Sequence, residues 1–287
     1  MTRTSPTHAK LAQPIVHAPG LFHSLAPGER KRDKLDVTHV AGDTTVRFVG
    51  FEPLDSTDLR VLQGLIALAT AGLRNIRRLL RDGQSLRTSL DLKGDAQDER
   101  TVAARFTLAS LADTAGIDRG GFGCRQMRAS LQRLSNVTVL VDRPEFEGAF
   151  RLVSGYRLDK HTGELVVSIS PLGTTAILGR QGYLRLNMDE VRRIHGEVAH
   201  LIHSRLHWVN QGDRRPVNMD TLCSYAYVGV RTGSSLRKRR MAVRQALKEL
   251  MDVGWTVTEK YPGTYLIGRP RRAGDQGELV TRAGVNW

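Results

Sequence analysis

Three histidines, His200, His203 and His207, recur at i, i+3 and i+7, so one helix would present three imidazoles along one face. Neutral imidazole nitrogens in such an array can bind zinc. A half-buried helix face produces the same spacing, and no Cys or Asp nearby in sequence offers a fourth ligand, so no metal is expected there. Other catalytic signatures fail on spacing. The sequence has no G-x-x-x-x-G-K-[ST] loop to cradle nucleotide phosphates. None of its nine histidines forms the His-x-His pair that a metal-dependent nicking tyrosine requires, and no His-x-x-Arg occurs to clamp a scissile phosphate. Neither enzymatic activity nor a cofactor is expected. What the residues do advertise is charge: from Arg231 to Arg244 there are six basic residues and no acid.

The run 235–253 reads as a helix. At 100° per residue, Leu236, Val243, Leu247, Leu250 and Met251 gather on the side that must face a core. Arg237, Lys238, Met241, Arg244, Gln245 and Lys248 project on the other side, with Arg239 and Arg240 toward the flanks. A helix with a packed back and a cationic front suits a major groove, where Arg and Gln read guanine and adenine edges and flanking Arg hold phosphates. A merely solvated face normally mixes signs, as Glu249 beside Lys248 does, whereas the run from Arg231 is one-signed. A weaker copy lies upstream. Arg125, Gln126, Gln132 and Arg133 point away from a stripe of Cys124, Met127, Leu131 and Leu134, with Arg119 in the preceding turn and Arg128 on the flank. That helix serves either DNA contact or dimerisation. Lys260, followed by Arg269 and Arg271, is placed to track the adjacent backbone.

The elements that must position these residues repeat. A helix over 108–115, a turn over 116–121, a helix over 123–135 and β-favouring runs at 137–141, 149–156 and 165–169 follow in order, the last two joined by a turn at 159–163. After Pro171 the order returns. The pair Asn187-x-x-Glu190 opens a long helix to about Val209, Asn218 or Asp220 caps a short one, and two strands at 255–260 and 264–268 close the unit. LQRLSNVTVLVD from Leu131 lies on LKELMDVGWTVT from Leu247 without a gap, which points to an internal duplication. The expected fold is α+β, two tandem winged-helix domains. The expected divisions are a flexible arm over 1–20, an N-terminal domain over 21–175, a C-terminal domain over 176–270 and a flexible tail over 271–287. Upstream, a strand at 44–49 precedes a helix capped by Asp55 whose apolar face is Leu59, Leu62, Ile66, Ala69 and Leu73. A polar loop covers 82–100.

Composition agrees. The 287 residues carry 43 Lys and Arg against 29 Asp and Glu, a net charge of +14, at 40% hydrophobic and 25% charged, which is a folded protein suited to a polyanion. Cys124 and Cys223 are too few for a disulfide framework or a Cys-based zinc site. The longest apolar stretch, 59–73, is too short for a bilayer and holds Arg60 and Gln63, and no signal-peptide pattern opens the chain. A soluble cytoplasmic protein with no membrane partner is expected.

APGLF and PGERKRDKLDVTH (between Ala18 and His39), EPLDSTDLRVLQGLIALA (Glu52 to Ala69), MDEVR (Met188 to Arg192), DTLCSY (Asp220 to Tyr225) and LRKRRMAVRQALKELMDVGWTVTE (Leu236 to Glu259) closely resemble one family. It is the RepC replication initiators of IncQ-type broad-host-range plasmids. The resemblance implies a bacterial, non-enzymatic initiator that binds direct repeats (iterons) at a plasmid origin and promotes opening of adjacent AT-rich DNA. It also implies a plasmid-encoded helicase and primase as partners, and an N-terminal domain that serves a homodimer as well as DNA. The alternative is a winged-helix transcriptional repressor on an inverted-repeat operator.

Overall fold

The computed structural model describes residues 6–72, 102–178 and 182–271. The first strand, β1 (His8–Ala12), pairs antiparallel with β9 (Tyr183–Asn187), His8 facing Asn187 and Ala12 facing Tyr183. Helix α1 (Gln13–His17) follows, with Pro14 in its first turn, where a missing N–H costs nothing. The expectation of a flexible arm over 1–20 is therefore corrected from residue 6 on, residues 1–5 lying outside the described residues: Ala9, Leu11, Ile15, Val16 and Ala18 are core residues, and burying them holds the segment.

Then come α2 (Glu29–Arg32), the hairpin β2 (Leu35–Ala41) and β3 (Thr44–Gly50), and α3 (Ser56–Gly72). Asp55 Oδ1 accepts the amides of Thr57 and Asp58 at 2.8 and 3.0 Å while Asp58 Oδ2 accepts that of Asp55 at 3.0 Å, a reciprocal cap. Leu59, Leu62, Ile66 and Ala69 are buried as expected, but so are Val61, Gln63, Gly64, Leu65 and Ala67, because this helix is surrounded. Gly64 permits the closest approach: a Cβ there would stand 2.9 Å from Leu111 Cδ1 and 3.2 Å from Ala115 Cβ.

The two units share one plan. In the first, β4 (Ala103–Thr107) runs into α4 (Leu108–Ala115), a turn, and α5 (Gly121–Asn136). In the second, β10 (Arg214–Asn218) runs into α9 (Met219–Ala226), a turn, and α10 (Gly233–Asp252). The last residue of each leading strand caps the helix after it: Thr107 Oγ1 accepts from Ser110 N–H at 3.1 Å and Asn218 Oδ1 from Thr221 N–H at 2.7 Å. Each unit closes with a hairpin whose second strand pairs with the leading strand. The hairpins are β7 (Val153–Leu158) with β8 (Glu164–Ile169), and β11 (Thr256–Tyr261) with β12 (Thr264–Gly268), giving sheet orders β4-β8-β7 and β10-β12-β11.

Four expectations need correction. The run 149–156 is two strands, because the chain leaves β6 (Phe146–Arg151) at the buried Leu152 and enters β7 in another sheet. The two units repeat in plan, but the sequence match between them is shifted after the helices. β5 (Thr138–Arg143), which aligns with β11 in sequence, pairs instead with β3 and β6, so the counterpart of β11 is β7. The long helix from Asn187 is two, α7 (Met188–Arg193) and α8 (Glu197–Arg205), with a 3-10 turn at Leu206–Trp208. Glu249 of α10 accepts the Gly196 amide at 2.8 Å between them, and a Cβ on Gly196 would collide with that carboxylate at 2.5 Å. Finally, the boundary expected at 175/176 falls inside α6 (Pro171–Ile177), which packs on β1, so the core runs through both units. Leu73, the loop expected over 82–100 and, but for Arg271, the tail expected over 271–287 lie outside the described residues.

Candidate nucleic-acid interface

Helix α10 buries Val243, Ala246, Leu247 and Leu250. Opposite them Arg237, Met241, Arg244 and Lys248, at i, i+4, i+7 and i+11, form one exposed stripe with Lys238 and Gln245 beside it. Arg237, Lys238, Arg244 and Lys248 make no hydrogen bond or ion pair among the described residues, so no described acid claims their charge. Met251, expected in the core, is 45% exposed because the helix ends there and Val253 and Trp255 fill the space instead.

Two expected DNA-binding residues of this helix are structural. Arg239 donates to the carbonyls of Gly229 and Val228 at 2.7 and 3.0 Å and lies 4.7 Å over the Tyr227 ring, fixing the turn before α10. Arg240 pairs with Asp220 at 2.9 Å, tying α10 to α9. Arg231 is exposed in the turn, next to Val230 at 94% exposure. Lys260 is exposed on β11, 5.4 Å over the Tyr261 ring. Arg269 turns inward and donates to the carbonyls of His207, Val209 and Arg185 at 3.2, 3.3 and 2.9 Å, so it cannot track a backbone; Arg271 stays exposed beside Gly212.

Helix α5 carries the same design at an offset of 116 on both faces. Met127, Leu131 and Leu134 are buried where Val243, Leu247 and Leu250 are, and Gly121, Arg125, Arg128 and Gln132 are exposed where Arg237, Met241, Arg244 and Lys248 are. Arg128 thus occupies the position of Arg244. Arg125 stacks at 6.0 Å on Phe122, itself 66% exposed. Arg133 is a correction: it reaches inward to Asp58, which is 0% exposed, with Nη2 2.8 Å from Oδ1. Arg30 approaches the same carboxylate at 3.4 Å and also pairs with Asp55, whose carboxyl burial and the Asp58 charge push up. Arg119 is exposed but engaged by Asp113, so it too is less free than its place in the turn suggested. No sequence signal separates Arg133 from Arg128, because the acid that claims it, Asp58, comes from another helix.

The histidines are buried, not surface-facing. His203 Nε2 lies 2.7 Å from Glu190 Oε2, which also accepts Trp255 Nε1–H at 2.9 Å, and His207 Nδ1 lies 2.7 Å from the His203 carbonyl. Burial, then neighbouring Arg60, holds His200 well below the usual His range; burial, then His203, does the same for His207. The acid that the sequence lacked nearby is Glu190, thirteen residues before His203 on a separate helix.

No described helix is long and apolar enough to cross a membrane. The chain is similar in fold to crystal structures of domains 2 and 3 of RctB. One, of selenomethionine derivatives, has a TM-score of 0.56 at 12% identity over 85% of this chain and 93% of that one. Another has a TM-score of 0.52 at 10% identity over 88% and 94%. No curated protein matches the sequence. The family model described as Replication protein C (RepC) matches residues 3–271.

Proposed function

Since this chain belongs to the replication protein C (RepC) family, we propose that it initiates plasmid replication by binding direct repeats at an origin without catalysing a reaction itself. Both units are read as winged helices, with α5 and α10 as the helices that enter successive major grooves. The observation that carries the reading is the α10 stripe with Lys238 beside it: four cations that no described residue pairs, on the face opposite a buried apolar seam. From Arg237 to Lys248 the stripe rises about 16 Å at 1.5 Å per residue, enough to span several base pairs. Arg244 at its centre donates to a guanine edge, Gln245 suits adenine, and Arg237, Lys238 and Lys248 neutralise phosphates. Lys260 on the β11–β12 hairpin and Arg231 extend the contact outward. In the first unit Arg125 and Arg128 carry the equivalent role, and Arg133 and Arg119 do not.

Met241 faces the groove with the arginines and suits a thymine methyl, a residue type that a count of charge passes over. Binding of tandem repeats strains neighbouring AT steps, which open most easily, and exposes single strand for a helicase and primase. A homodimer is part of the same proposal. The test is footprinting on a supercoiled origin with direct repeats at defined salt. Protection recurring once per repeat, with no nicks in Mg²⁺, supports the proposal. A footprint on an inverted repeat alone, or nicked product, overturns it.

A further inference from the structure

We infer that Glu190, His203 and His207 form a divalent-metal site, of the class that takes Zn²⁺ with two imidazoles and one carboxylate, buried where α7 and α8 meet the end of α10. All three side chains are buried and their candidate ligand atoms lie within 4.8 Å of one another. His203 and His207 are four residues apart on one helical run, which stacks them on a single face.

The tautomer of His207 is fixed by its partner. A carbonyl oxygen cannot donate, so the 2.7 Å contact to His203 C=O puts the proton on Nδ1 and leaves Nε2 as a bare lone pair. That Nε2 is buried with no partner. Metal-binding imidazoles are built this way, with the second nitrogen held by a backbone carbonyl or carboxylate. Glu190 is prepared in the same sense. Asn187 Nδ2 holds one oxygen at 2.7 Å and Trp255 Nε1 the other at 2.9 Å, which orients the carboxylate from outside.

In the metal-free protein the Glu190–His203 hydrogen bond fills the place of the cation. His203 Nδ1 is also buried without a partner. On binding, the proton on His203 Nε2 is displaced so that Nε2 becomes a ligand, and Nδ1 of the same ring is the position that can carry it. The ligand atoms must draw in to about 3.3 Å apart, the spacing of tetrahedral ligands at 2.0–2.1 Å from zinc. Water completes the fourth position. Trp255 packs against both rings at 5.7 Å and follows directly on α10, so an ion here braces the helix that faces DNA.

The test uses the full chain, freed of metal with chelator and desalted. Titration with Zn²⁺ should saturate at one equivalent per chain, and Co²⁺ should give the visible absorption of a four-coordinate nitrogen and oxygen site. His207→Gln should weaken Zn²⁺ binding roughly a hundredfold or more while keeping the metal-free circular dichroism. The melting temperature of the wild type should rise with Zn²⁺ but not with Mg²⁺. No stoichiometric uptake, or equal uptake by the variant, overturns the site and leaves a structural hydrogen-bond network. Should His207→Gln fail to fold, the wild-type melt decides alone: no Zn²⁺-dependent rise is equally fatal. None of these readouts involves DNA, so failure here leaves the origin-binding proposal standing.

Discussion

Replacing Arg133 by Ala should unfold the protein more readily and leave base recognition intact. The Asp58 carboxylate is 0% exposed and the Arg133 side chain 15%, so the pair is shielded from water. Arg133 Nε lies 3.0 and 3.1 Å from the two carboxylate oxygens, and its Nη2 also donates to Ser130 Oγ at 3.1 Å. Removing one partner of a buried pair costs about 3–5 kcal/mol, because the remaining charge is left unpaired. Arg30 remains at 3.4 Å and the Asp55 amide at 3.0 Å, which places the expected loss near the lower end, about 3 kcal/mol. For a chain of 287 residues, at about 2.1 cal/mol/K of unfolding entropy per residue, that lowers the melting temperature by roughly 5 °C. The assay is thermal unfolding followed by circular dichroism, paired with origin binding well below the melt. An Arg128→Ala control should do the reverse, weakening binding without moving the melt. If Arg133→Ala melts within a degree of wild type and loses origin affinity tenfold, the structural assignment of Arg133 is wrong and its original assignment to DNA is restored.

Arg244→Ala should cost about 1–3 kcal/mol of specific binding and relax preference at one base pair, measured by competition among repeat variants; Lys248→Ala should weaken all sequences alike and flatten the salt dependence by about one ion. Gly123→Ala puts a Cβ 2.0 Å from the Asp118 carbonyl and should destabilise by about 1–3 kcal/mol in a urea titration, with unchanged stability refuting the contact. Stability should fall as pH drops below 6.5. His200 and His207 are held well below that value in the folded chain, so the unfolded state binds more protons there, and each group contributes a slope of up to about 1.4 kcal/mol per pH unit. Glu190, at about 2 when folded, acts in the same direction below its ordinary range near pH 4.5. A melting temperature flat from pH 7 to 5 would contradict the burial of these rings.

What could be seen in the sequence was local. Helix α4 begins and ends where its periodicity says, the seam of α5 is the buried one, and the Asp159–Gly163 turn joins β7 to β8 because Asp159 accepts the amides of His161 and Thr162 at 2.8 and 3.0 Å. What escaped depends on distant partners. Arg239, Arg240 and Arg269 share the residue type and chain neighbourhood of the DNA-facing cations, but carbonyls and carboxylates from other elements capture their guanidiniums. The break before α8 needed Glu249, fifty-three residues away, and β1 needed β9. A helical wheel assigns a side of the helix; only the fold says which neighbours stand there.

The pairing of β1 with β9 has a consequence in time. The ribosome releases residues 8–12 well before their partner at 183–187, which emerges some 170 residues later. At roughly 5–20 residues per second this is a wait of about 10–35 s. For that interval the backbone edge of β1 has no strand to pair with, although α3, which packs on β1, emerges well before β9, and an unpaired edge is what a nascent aggregate would recruit. The pair that holds this segment therefore closes only after well over half of the 287 residues have been made.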